Sequence, residues 1–158
     1  MDSALKYYDQ LSKRAIAWGI VIDMFVASID QSGIYEMKSL FEKTGGYYIM
    51  TDSFQNPVFK ESYNKFFTID NEGHLKMGFM GKLQIYTSKE FKVSGCVGHV
   101  SPIEGKKTAS VSDNVIGIGG TVAWNIGGID KNTSLAFYFD IINKQTAAGS
   151  HPPVFMQF

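Results

Sequence analysis

The chain has 158 residues, of which 44% are hydrophobic and 14% aromatic, enough to bury a core and unlike the composition of disordered chains. Its 15 basic and 15 acidic side chains cancel, so a field-driven nucleic-acid binder is not indicated. A single cysteine, Cys96, excludes an internal disulfide framework and fits a reducing compartment; no apolar stretch is long enough to span a bilayer, and the N-terminus lacks the pattern of a secretory leader, so a cytosolic location is expected.

The pattern predicts a helix over residues 3–18, with Leu5, Tyr8, Leu11 and Ala15 on one face and Asp2 or Ser3 as N-cap. Val21, Ile22, Met24, Phe25, Val26, Ala27 and Ile29 then form a nearly continuous apolar run with one acid, Asp23, in it. Such a run suits a central parallel strand covered on both faces. Asp30-Gln31-Ser32-Gly33 breaks it, and Ile34, Met37, Leu40 and Phe41 recur at helical spacing until Gly45-Gly46, after which residues 47–50 start a second strand. This is a strand, helix, strand unit with a right-handed crossover. A buried parallel strand needs a neighbour on each side and only residues 47–50 supply one, so the N-terminal third is expected to be the last portion of a larger α/β domain.

Pro57 opens a further helix whose face carries Val58, Phe59, Ser62, Tyr63, Phe66 and Phe67. An aromatic stripe at this spacing is expected to pack on the sheet; the sharper alternative makes Phe59, Tyr63 and Phe66 anchors for a partner. Asp70-Asn71-Glu72-Gly73 is a turn, and a domain boundary is placed there, giving 1–73 and 74–158. Beyond it the period changes to two. Leu75, Met77 and Phe79, then Leu83 and Ile85, then Phe91 and Val93 alternate with more polar neighbours, punctuated by glycines and Pro102. Residues 121–126 and 135–142 are two more strands joined by the loop GGIDKNT, and 154–158 begin another. The fold class is therefore α/β followed by all-β, with an incomplete antiparallel β-sandwich or barrel.

Three patterns suggest chemistry, and each has a plainer reading. Asp30-x-Ser32 resembles part of the D-x-S-x-S metal loop of von Willebrand A domains, but Ile34 stands where a second serine is needed, so a turn is expected. Ile116-Gly117-Ile118-Gly119-Gly120 imitates a phosphate loop, yet it leads into a strand and reads as a β-turn or bulge. Cys96 and His99 have zinc-ligand spacing without the other two ligands; His74 and His151 have no matching partners. The same pair supports an alternative from another class, a self-contained thiol hydrolase, although nothing in the sequence orients the imidazole. Arg14, the one arginine, falls on the polar side of the first helix, where a solvated side chain is expected. Between Lys76 and Lys107, Lys76, Lys82, Lys89, Lys92, Lys106 and Lys107 face only Glu90 and Glu104. Alternation alone would put these lysines on the wet face of a sandwich, where they also block sheet pairing.

IVIDMFVASIDQSGIYEMKSLFEKTGGYYIMTDSF, FKESYNKFF, HLKMGFMGKLQIYTSKEFKVSGCVGHV and IGIGGTVAWNIGGIDKNTSLAFYFDI, in that order, resemble the Sec twenty-three family, the GTPase-activating inner-coat subunit of the COPII vesicle coat. The resemblance runs from about Leu5 to the end. It implies the closing part of a von Willebrand A-like trunk domain followed by most of a β-sandwich, with the family's zinc site and its catalytic arginine outside these residues. No cofactor and no enzyme activity are thus expected of the chain itself. The partners implied are the small coat GTPase, the cargo-binding inner-coat subunit, the outer coat and the anionic membrane of the endoplasmic reticulum and its vesicles. A face against anionic lipid gives the six lysines a second reading, as membrane contacts of about 1 kcal/mol each.

Overall fold

The protein is described by a computed structural model over residues 2–105, 108–142 and 154–158. Its contacts divide it into two compact units, Met1–Gly81 with Ile126–Thr133, and Lys82–Asn125 with Ser134–Phe158.

The first unit alternates helices and strands: α1 (Asp2–Ala17), β1 (Met24–Ala27), α2 (Ile34–Thr44), β2 (Tyr48–Thr51) and α3 (Pro57–Phe66). β1 and β2 pair in parallel from Met24 opposite Tyr48 to Ala27 opposite Thr51. α1 lies on α2, with Ser12 and Ala15 buried on one helix and Leu40, Phe41 and Thr44 on the other. Side chains as small as Ser12 and Ala15 let the two backbones approach closely. The Thr44 hydroxyl donates to the Leu40 carbonyl at 2.6 Å and accepts the Ile22 N–H at 3.1 Å, joining the last turn of α2 to the chain entering β1. Gly45 then stops the helix in a left-handed conformation, φ 73°. Asp23, the acid in the apolar run, accepts the Tyr47 N–H at 2.7 Å, so it joins the start of β1 to the start of β2. Asn56 caps α3 by accepting the Val58 N–H at 2.9 Å, with Pro57 in the first turn.

One expectation for this unit is corrected. β1 is short and half-buried along its length, and Ile29, read as part of that strand, lies beyond it and is 89% exposed. Among the described residues β2 is its one ladder partner, and of the β1 side chains Phe25 takes part in ring packing.

The remaining strands are β3 (Gly78–Gln84), β4 (Tyr86–Thr87), β5 (Phe91–Val97), β6 (Ser101–Pro102), β7 (Ala123–Ile129), β8 (Ala136–Ile141) and β9 (Met156–Gln157). They form open sheets in the orders β3-β7-β6, β4-β9 and β5-β8, and none closes into a barrel among the described residues. In the second unit Ile85, Val93, Cys96, Val100, Val111 and Trp124 are buried. Trp124 has no exposed surface; its indole N–H donates to the Ile118 carbonyl at 3.0 Å and its ring meets Phe137 edge-on at 5.3 Å. A ring so enclosed contributes about 3–5 kcal/mol relative to alanine. β5 and β8 are antiparallel, with a bulge between Val93 and Gly95. The segment Ile116-Gly117-Ile118-Gly119-Gly120 runs beside β5, Cys96 and Ile118 exchanging N–H···O bonds of 3.0 and 2.7 Å. Cβ atoms on Gly95, Gly117 or Gly119 would meet backbone of the facing segment, so glycine permits the approach.

Two strand expectations are also corrected. Phe79 is 49% exposed where alternation turned it inward, beside Met80, which holds φ 57° and interrupts the pleat. The expected GGIDKNT loop begins in fact as the last three residues of β7, which alternates cleanly in burial through Gly128. Two glycines are tolerated there because the main chain of Thr44 and Gly45 packs directly on Gly127 and Gly128, filling the space side chains would take.

Candidate functional site

α3 presents an aromatic shelf. Phe25 of β1 is surrounded by Phe59, Tyr63, Phe66 and Phe67 at centroid distances of 5.9, 5.4, 6.4 and 6.3 Å, and Phe54 joins the edge of Phe59 at 5.0 Å. Phe66 stacks on Tyr47 at 3.9 Å. The two sequence readings of these residues meet here. The rings do gather on the sheet, yet no residue of α3 is buried, and Tyr63 and Phe54 keep 45% and 55% of their surface. Offset and edge-on contacts fix the rings in place, so the exposed edges are presented rigidly.

The lysines are placed less uniformly. Lys76, just before β3, Lys82 on β3 and Lys89 before β5 are exposed. Lys92 is half-buried on β5, directly opposite Asp140 of β8. Asp140 is held below the usual carboxylate range, first by the Ser112 hydroxyl, then by Asn114, with Lys92 adding a smaller attraction. That pairing makes Lys92 the least available cation of the four. Lys106 and Lys107 lie outside the described residues.

The hydrolase alternative finds no support. Cys96 is fully buried, and burial pushes its thiol up to about 11, the opposite of an activated nucleophile. His99 is exposed and makes no bond to it among the described residues. The glycine-rich segment is likewise committed: the Ile116 and Ile118 N–H groups bond to Ser94 and Cys96, leaving them unavailable to a phosphate. Around Asp30 the hydroxyls of Ser28 and Ser32 donate to the Asp30 carbonyl, which is a turn.

Two groupings escape a sequence reading. Asp70, Glu72 and His74 bring ligand atoms within 4.8 Å of one another, a spacing of two residues that an acid-rich turn would suggest. Asp70 Oδ1, however, accepts the N–H groups of Glu72 and His74 at 2.9 Å each, so its task is to hold the turn. The second is the bond between the Tyr47 hydroxyl and Asp130. Burial chiefly, and then Asp130, push Tyr47 up to about 12, while Asp130 falls because its bonds to Tyr47, Thr133 and Asn132 outweigh its own burial. No spacing links residues so far apart. No helix among the described residues is long and apolar enough to cross a membrane.

What remains is a set of exposed surfaces with no assembled reactive centre among the described residues. Comparison with protein families gives two matches: the family model described as the Sec23/Sec24 trunk domain matches residues 1–67, and that described as the Sec23/Sec24 beta-sandwich domain matches residues 78–158.

Proposed function

The chain belongs to the Sec23/Sec24 family of vesicle-coat components, and from that premise we propose that it serves the COPII inner coat as a scaffold, holding partners by its surfaces. The observation that carries this is the succession of the two family domains along one chain, trunk then sandwich. The finer reading places it in the GTPase-activating subunit, peripheral on the endoplasmic reticulum membrane. There it supports the small coat GTPase, pairs with the cargo-binding subunit and meets the outer coat. The aromatic shelf of Phe59, Tyr63 and Phe66 supports a role as a protein contact, because rigid, half-exposed rings bind with little ordering cost. Lys76, Lys82 and Lys89 are exposed as a contact with anionic lipid requires.

Acceleration of GTP hydrolysis needs a cation on the transferring phosphoryl group, usually an arginine. Arg14 is the sole arginine and the family's catalytic one is expected elsewhere, so the chain should bind without accelerating. The test mixes it with the coat GTPase, loaded with a non-hydrolysable nucleotide, and with the cargo-binding subunit in sedimentation runs, alongside single-turnover hydrolysis. Complex formation with unchanged hydrolysis is expected. Binding to neither protein, or a large acceleration, would overturn the scaffold reading.

A further inference from the structure

We propose that the outer face of α1 is a docking surface for an acidic segment of a partner protein, with Arg14 as its centre. α1 buries Ser12 and Ala15 against α2 and turns its opposite face to solvent. Steps of seven and four residues put Tyr7, Arg14 and Trp18 on that opposite face, Trp18 sitting one turn past Arg14 with its N–H on the Arg14 carbonyl at 3.2 Å. Trp18 keeps 80% of its surface and Tyr7 keeps 61%. Arg14 and Lys6 have no ion-pair partner among the described residues. By contrast Asp9, the acid in the middle of α1, is engaged by Lys13 at 3.3 Å and by Lys43 of α2. The stripe is therefore positive, flanked by rings and held by a helix fastened to its neighbour.

Tryptophan, tyrosine and arginine are the residue types that dominate binding energy at protein interfaces. A guanidinium between two rings takes a carboxylate in two parallel hydrogen bonds while the rings exclude water from the pair. A membrane fits less well, since lipid contact by charge takes about four to eight basic residues and insertion takes a broad apolar face, and this stripe has two cations and Gln10 and Ser3 beside its rings. The proposal stands on α1 alone and does not rest on the coat partners named above.

Trp124 is fully buried, so solvent-sensitive tryptophan emission reports Trp18. The experiment titrates the full chain with a soluble peptide of repeated Glu-Glu-Leu, with its Lys-Lys-Leu counterpart, and with vesicles of phosphatidylserine and phosphatidylcholine, following emission and iodide quenching. The acidic peptide should give a saturable blue shift and shield Trp18, Arg14→Glu should weaken it about tenfold or more, and Arg14→Lys should weaken it less, having lost the bidentate geometry. Because Arg14 and Trp18 are exposed, circular dichroism of both variants should match the parent. No saturable shift, equal binding of the two peptides, indifference to Arg14→Glu, or a response to vesicles alone would each overturn the proposal.

Discussion

Gly127 of β7 lies against the main chain of Thr44 so closely that a Cβ on the glycine would collide with the Thr44 carbonyl. The contact is backbone on backbone, with no flexible side chain to yield. Gly127→Ala should therefore cost about 1–3 kcal/mol, the range for overpacking a filled site, and lower the melting temperature by several degrees. Gly105, with nothing within 4 Å of its Cβ position, is the control: Gly105→Ala should stay within about 0.5 kcal/mol. Equal melting temperatures for the two variants would contradict the packing argument.

The Tyr47 to Asp130 bond predicts a two-sided pH dependence. Asp130 titrates below its ordinary value in the folded chain, so its contribution is in place above the unfolded carboxylate value of about 3.9 and disappears as pH falls through the folded one. Tyr47, pushed up to about 12, favours the neutral phenol; its contribution is in place below the unfolded value of about 10 and is lost as pH rises through about 12. Urea midpoints across pH should show Tyr47→Phe losing about 1 kcal/mol near neutrality, as for one hydrogen bond, and Asp130→Asn flattening the acid limb. Profiles parallel to the parent at both extremes would mean the bond contributes nothing.

Cys96 should be inert while the protein is folded. A buried thiol that titrates near 11 is neither accessible nor ionised at neutral pH, so a disulfide reagent should react only at the rate of unfolding. Denaturant should release one thiol per chain. Prompt labelling of the native protein at pH 7 would revive the nucleophile, and His99→Ala would then be expected to slow it.

If the exposed lysines meet lipid, flotation with phosphatidylserine vesicles should weaken as salt rises and fall further in Lys82→Glu and Lys89→Glu. Lys92→Glu should change flotation less, since Lys92 already faces Asp140, and should instead lower stability by placing like charges opposite each other across β5 and β8. Flotation that ignores salt, or none at all, leaves these lysines as guards of the sheet surface.

Much of this was legible beforehand, and the losses have physical causes. Helical spacing found α1, α2 and α3 because each has one apolar face, and the glycines at residues 45–46 marked the end of α2 correctly. The family resemblance, read from ordered motifs, agrees with both family matches. Local rules failed where a distant segment decided. Gly127-Gly128 reads as a loop until Thr44 is seen to fill its side-chain space, and Phe79 reads as inward until the left-handed Met80 beside it breaks the alternation. The aromatic shelf was found residue by residue, but its half-exposure could not be: period 3.6 says which rings share a face and is silent on what lies over them.

β7 starts in one compact unit and finishes in the other, and so does β3. A gene spliced after Gly81 would thus strip the first unit of Ile126–Thr133, and with it the acid that holds Tyr47 and the floor beneath the last turn of α2. Asp130 and the Gly127-Gly128 backbone thus belong to the first unit although the chain reaches them only after laying down most of the second.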